Sequence, residues 1–252
     1  MRNLIPILLA VVVLSSGCDP DGYSCNSEGC YEDNDNPQYQ TLEDCNSLCD
    51  EITPKPVNCG TVLHEGYDYS TVQIGDQCWF AENCRYLPVV SPSIEANYTD
   101  PYYYVYGYEG TDVTAAKSTE NYATYGVLYN WPAVMTEGIC PSGWHIPSDG
   151  EFTQLTDFLG GEDVAGGKMK EAGYDHWQSP NTGATNSSGW TGLPGGYRIT
   201  GGVNNRGYYG HWWSASESVS YSVARTLRRS NGGVDRGIRS RSSGYSARCV
   251  RD

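Results

Sequence analysis

The chain of 252 residues holds four histidines, His64, His145, His176 and His211, and none lies four positions from another as a helical zinc pair requires. No carboxylate pattern completes a metal triad around them, no serine, histidine and aspartate stand in a hydrolase order, and no glycine-rich phosphate loop occurs. Ten cysteines offer thiol chemistry, yet Cys249 is the only one after Cys140. Residue types therefore point away from catalysis, and no catalytic residue, metal ligand or cofactor is expected. What the chain has in quantity is stacking and ionic hydrogen bonding: 21 tyrosines, 7 tryptophans and an arginine-rich end. Such side chains supply contact area and charge-assisted bonds at interfaces. Tyr208, Tyr209, His211, Trp212, Tyr221, Arg225, Arg228, Arg236 and Arg241 form the expected contact face, with strand alternation turning about half of them inward. Trp144 and Trp213 are assigned to the core.

The formal charge of −14 is uneven. Residues 198–252 carry ten arginines against Glu217, Asp235 and Asp252, a balance of +7, which leaves −21 on the remainder. An exposed sheet face rich in arginine explains this better than nucleic-acid binding, which is not expected for an exported chain.

The elements that must position these residues are readable in places. Ser148-x-x-Glu151 is a capping box ahead of Phe152, Leu155, Phe158 and Leu159 at helical spacing, with Gly160-Gly161 as the stop, so a helix is predicted over 149–159. Tyr69 to Ile74 and Gln77 to Phe80 flank Gly75-Asp76, a hairpin with a type II′ turn. Tyr125 to Tyr129 reads as a strand, and Asn130 as the cap of a short helix opening on Trp131-Pro132. Residues 87–120 hold six tyrosines, Tyr98, Tyr102, Tyr103, Tyr104, Tyr106 and Tyr108, either as an aromatic binding loop or as an insertion packed on the surface. After residue 192, short strand-like runs alternate with glycine turns. The last carries Cys249, whose expected partner is Cys140. Cys59, Cys78 and Cys84 lie close together with the pairing open.

Arg2, the apolar run from Leu4 to Leu14 and Ser15-Ser16-Gly17-Cys18 describe a secretory signal too short to span a membrane. It resembles a bacterial lipoprotein signal, which implies removal of residues 1–17, acylation of Cys18 and a place in the cell envelope as an outer-membrane lipoprotein. An ordinary cleaved signal with Cys18 in a disulfide is the alternative. Export agrees with disulfide use. Beyond Cys18 nine cysteines remain, an odd number that leaves one thiol free.

Residues 18–50 are acidic and cysteine-rich, too short for a core without staples. Glu32, Asp33, Asp35 and Asp44 lack the glycine that an EF-hand loop needs, so a solvated acidic turn is expected. The run from Gly29 to Cys49 resembles the C-terminal half of a Kunitz-type module, and that resemblance implies the pairs Cys30 with Cys45 and Cys25 with Cys49. The Kunitz inhibitory loop is absent, so inhibition is not implied. Residues 51–58 form a proline-spaced linker.

Eight ordered blocks run through residues 60–252: Thr71-Val72-x-Ile74-Gly75-x-Gln77-x-Trp79-x-Ala81-Glu82-Asn83, Tyr125-Gly126-x-Leu128-Tyr129-x-Trp131, Cys140-Pro-Ser-Gly-Trp-His-x-Pro-Ser148, Gly160-Gly161, Ala165-Gly166-Gly167, Leu193-Pro-Gly-Gly-Tyr197-Arg198, Trp212-Trp213-Ser214 and Ser246-x-Arg248-Cys249-Val250. Together they resemble the Fibrobacter succinogenes major paralogous domain family of exported bacterial proteins. The resemblance implies an α+β, C-type-lectin-like domain over 59–252, with short helices and twisted antiparallel strands, like that of formylglycine-generating enzymes. Their cysteine pair has no counterpart here, nor do the E-P-N, Q-P-D and W-N-D calcium motifs of sugar-binding lectins. A non-enzymatic surface protein that binds a protein or glycan is thus expected, with a purely structural envelope component as the alternative and an oxidoreductase of the formylglycine-generating kind less favoured. Residues 219–243, rich in Ser, Arg, Gly, Asn and Tyr, also fit a segment diversified by a retroelement, or ordinary drift on an exposed sheet.

Overall fold

The computed structural model describes residues 59–252 in full, together with the backbone of 22–26 and 29–33. The expected signal, Cys18, the linker 51–58 and the pairings of Cys25, Cys30, Cys45 and Cys49 lie outside the described residues. The chain divides into two compact units, Met1–Lys55 and Pro56–Asp252. In the first, β1 (Gly22–Asn26) and β2 (Gly29–Asp33) form an antiparallel hairpin with Cys25 opposite Cys30.

The second unit is α+β. It begins with β3 (Thr61–His64), β4 (Tyr67–Ile74), β5 (Gln77–Phe80) and β6 (Tyr103–Tyr104). Helices α1 (Val113–Lys117) and α2 (Glu120–Tyr125), strand β7 (Leu128–Tyr129), helix α3 (Trp131–Val134), strand β8 (Trp144–His145) and helices α4 (Asp149–Phe158) and α5 (Glu162–Met169) follow. Strands β9 (Tyr197–Ile199), β10 (Gly202–Asn204), β11 (Tyr209–Ser218), β12 (Tyr221–Arg228), β13 (Val234–Ser240) and β14 (Val250–Arg251) complete it. A five-stranded sheet in the order β3-β4-β5-β14-β8 brings the last strand between the opening hairpin and the segment after Cys140. A separate antiparallel sheet, β11-β12-β13, carries most of the arginine-rich end. Among the described residues no helix is long and apolar enough to cross a membrane.

Where local chemistry dictates conformation, the structure follows it. Ser148 and Glu151 close both halves of the capping box, Phe152 and Leu155 are buried, and Gly160 takes φ +100° just past the end. Phe158, expected inward, is instead 57% exposed and lies across Gly75, where an added Cβ would sit 3.0 Å from its ring. At the β4–β5 turn only Gly75 is left-handed, at φ +60°, as type II′ requires. Asn130 caps α3 through Ala133 N–H, with Pro132 in the first turn.

Two hydrophobic clusters divide the interior, and the pleat decides which residue joins which. Neighbours Trp79 and Phe80 point into opposite clusters, as do Trp212 and Trp213. Cys140 is bonded to Cys249 and Cys59 to Cys78, while Cys84 is a free, buried thiol. Its Sγ lies 3.6 Å from Cys249 Sγ, and burial pushes it up to about 12.

Two expectations are corrected here. Tyr125 to Tyr129 is not one strand: α2 runs through Tyr125, Gly126 turns at φ +71°, and only Leu128–Tyr129 is extended. The tyrosine-rich stretch is neither a binding loop nor a surface insertion throughout, because Tyr103 and Tyr104 are buried and Tyr103 belongs to the first cluster. A phenol fills a core position when its hydroxyl finds a partner, as Tyr104 does on the Glu95 carbonyl.

Candidate functional site

The register of the second sheet sorts the arginine-rich end into two faces. In an antiparallel pair, residues directly opposite share a face. Tyr209 faces Arg228, and His211 faces Thr226, which in turn faces Asp235. One position further along each strand, Trp212 faces Arg225, which faces Arg236. Consecutive residues of each strand therefore serve opposite sides of the sheet.

The Trp212 side turns inward. Trp212 is fully buried, its indole N–H donating to Asn83 Oδ1 at 2.8 Å. Arg225, 1% exposed, pairs with Glu162 and with Asp149 Oδ1 at 2.9 Å, and Arg236 grips both oxygens of Asp149. Asp149 and Glu162 open α4 and α5, so these two arginines fasten both helix starts to the sheet. Trp212 and Arg225 are corrections to the expected contact face: the pleat commits them to the interior. Arg198 and Arg248 are buried as well, and Arg248 lies 3.8 Å over the Trp190 ring with Nη1 and Nη2 donating to backbone carbonyls and Nε to Asn83 Oδ1. Desolvation brings it down to about 9. The exposed arginine-rich face expected from composition is thus partly an internal lattice. Of the rest, Arg241 bonds Glu217 and stacks 4.4 Å over Trp131. Tyr208 lies under Arg229 and Tyr221 is exposed beside the β11–β12 turn. Those three do not join the site described next.

The other side of the sheet opens into a cleft of about 310 Å³ lined by Tyr197, Ile199, Tyr209, His211, Arg228, Arg239 and Tyr245. β9 supplies the first two, the β11-β12-β13 sheet the next four, and the final stretch Tyr245. Isolated bridges fix these elements together: Arg198 to Gly244, Gly196 to Gly210 and Tyr129 to Tyr245. Gly237 makes room for Arg239, whose guanidinium lies where a Cβ would meet it at 2.4 Å.

His211 is the chemical centre. Its ring stacks on Tyr245 at 4.7 Å and on Tyr209 at 5.9 Å, while Tyr197 meets it edge-on at 5.0 Å. It is 7% exposed, its Nδ1 is 2.8 Å from Thr226 Oγ1, and its Nε2 is buried without a partner among the described residues. Burial, reinforced by Arg239 and Arg228, lowers its pKa to about 3, so the imidazole is neutral near pH 7. Arg228 is ion-paired to Asp235, whereas Arg239 has no carboxylate partner among the described residues. Tyr245 is raised by burial, with Ser243 and Arg239 pulling the other way. Such a site can donate and accept neutral hydrogen bonds beside one uncompensated positive charge.

Tyr209, His211 and Arg228 were among the expected contact residues, and the cleft brings them together. Tyr197, Ile199, Arg239 and Tyr245 were missed. The signal that finds them is strand register: Gly210 on β11 meets Gly196, one residue before Tyr197 on β9, and neither partner is visible locally. No group of three or more His, Cys, Asp or Glu able to hold a metal occurs among the described residues.

Fold and cleft together define an α+β domain, tied by disulfides, with a small polar aromatic cleft. The chain belongs to the Fibrobacter succinogenes major domain family, whose model matches residues 72–251. No curated protein and no solved structure matches it.

Proposed function

We propose that this is an exported, lipid-anchored surface protein whose larger unit recognises a ligand in the Tyr209–His211–Arg228 cleft and carries out no reaction there. The observation that carries the reading is the buried Nε2 of His211, which has no partner among the described residues and, unlike Trp190 Nε1 or Arg225 Nε in the same condition, belongs to a residue that lines the cleft. A buried polar atom without a partner costs about 1–3 kcal/mol, and a native fold keeps one where something else completes it. The low pKa of the ring argues against a general base near pH 7, and the hydroxyl hydrogen-bonded to it, that of Thr226, is itself buried away from any substrate. The apolar run ending in Ser15-Ser16-Gly17-Cys18 supports export and anchoring. Likeness of the framework blocks to the C-type-lectin-like fold supports a binding role.

A glycan array probed with the full chain and with Arg228→Ala and Tyr209→Ala tests the reading. Glycans retained by the wild type and lost by both variants are the expected result. Binding that both variants keep, or no binding at all, overturns it in favour of a structural role in the envelope.

A further inference from the structure

The cleft's charge balance and its free hydrogen-bonding atoms restrict what can fill it. Two guanidinium groups line it, and Asp235 neutralises that of Arg228. Arg239, which lines the cleft, is left with one positive charge and its planar fork over Gly237, where Nη1 donates to the Ile238 carbonyl at 3.3 Å and no carboxylate meets the fork among the described residues. One fork with one net charge matches a carboxylate, which takes two parallel N–H bonds in its plane. A phosphate monoester would bring a second negative charge that no group in the cleft answers.

His211 adds a second restriction. When the Thr226 hydroxyl donates to Nδ1, Nε2 carries a hydrogen and is a donor; when Nδ1 donates to Thr226, Nε2 is an acceptor, and the ring that carries it lines the cleft. A hydroxyl group satisfies either tautomer. The stacked rings of Tyr209 and Tyr245 prevent the imidazole from turning to another partner. The Tyr209 hydroxyl also has no protein partner among the described residues and offers a further hydrogen bond to a polyol. At about 310 Å³ the cleft is at the small end of ligand sites, room for a single ring rather than a chain.

Resting on the recognition reading above, we infer that the ligand is a saccharide bearing a carboxylate, a hexuronate-type residue: its carboxylate meets Arg239 and a ring hydroxyl meets His211 Nε2. Ile199 is the only aliphatic side chain in the lining; the rest of its apolar surface comes from Tyr197, Tyr209 and Tyr245, whose flat rings suit a sugar face.

Calorimetric titration of the full chain with methyl glucuronoside and methyl galacturonoside tests this, against methyl glucoside, which is the first with its carboxylate reduced, glucose 6-sulfate and sodium acetate. A uronoside is expected to bind at least tenfold more tightly than methyl glucoside, the sulfate and acetate. Arg239→Ala should remove that preference, and Arg239→Lys should weaken uronoside binding about tenfold, because a point charge cannot replace the fork. Raised salt should weaken binding further. Arg239 is partly exposed and has no ion pair among the described residues, so circular dichroism and the thermal midpoint of both variants should stay unchanged. Equal binding of the neutral glycoside, a preference for the sulfate, or a preference that survives in Arg239→Ala overturns the inference. If neutral sugars bind and Tyr209→Ala abolishes it, recognition stands and the carboxylate is wrong; if no sugar binds here or on the array, both fall.

Discussion

The corner from Cys140 to Glu151 and the cleft around His211 each hold a histidine, and they differ in how completely that histidine is satisfied. His145 bonds Asp252 Oδ1 through Nδ1 at 2.6 Å and Glu151 Oε1 through Nε2 at 2.7 Å. Glu151 meanwhile closes the cap of α4, the Cys140–Cys249 bond ties the corner to the last strand, and Val250 pairs with His145. Partial burial alone would lower the His145 pKa, but Asp252 and Glu151 outweigh it and raise it. His211 is the opposite: more buried, bonded on one side only, and pushed far down. A fully partnered polar cluster is what a scaffold needs. His211 instead leaves a buried polar atom open, among the described residues, on a ring that lines a cleft.

Predictions that would break this contrast run from large effects to small. Cys140→Ala removes a cross-link between residues 109 apart and should cost about 2–5 kcal/mol in urea unfolding. Trp212→Ala, on the interior side of the sheet, should cost about 3–5 kcal/mol; a near-zero change would return Trp212 to the surface. Arg225→Ala removes a buried guanidinium from Asp149 and Glu162, but Asp149 keeps Arg236 and Glu162 is 45% exposed, so the cost should be about 1–3 kcal/mol. His211→Leu combined with Thr226→Val replaces a half-satisfied pair by apolar groups and should be nearly neutral in stability while abolishing ligand binding.

The smallest effect is electrostatic. Because the folded-state pKa of His145 is raised, its contribution is fully present below about pH 6.5, the unfolded value, and is lost as pH rises through the folded value. His211 runs the other way. Its folded form resists protonation, so its share of stability falls as pH drops from about 6.5 toward 3. Removing His145 should flatten the stability profile above neutrality, and the His211→Leu, Thr226→Val pair should flatten it in acid. Urea midpoints measured across pH would show this, and the same profile for all proteins would contradict it.

What could be read from the sequence was what short-range chemistry decides. Ser148 and Glu151 cap a helix because they stand three residues apart, Gly75 turns a hairpin because it alone accepts φ +60°, and Asn130 caps the turn it precedes. The Cys140 to Cys249 pair was within reach because Cys249 is the only later cysteine. The cleft was half legible. Tyr209, His211 and Arg228 were named for their chemistry, but composition cannot say that Trp212 and Arg225, one step along in the pleat, serve the interior. Tyr197 and Tyr245 escaped because they reach the cleft through bridges between segments distant in sequence. Buried arginines were invisible for a similar reason, since the carbonyls that hold Arg198 and Arg248 come from loops far away in the chain.

The most direct test is to follow the ring nitrogens of His64, His145, His176 and His211 by long-range proton–nitrogen correlation while titrating the full chain with methyl glucuronoside. The His211 Nε2 resonance should move with saturation while both nitrogens of His145 stay still. A titration that moves His145, or binding that leaves His211 Nε2 unmoved, would contradict the assignment of the cleft as the binding site.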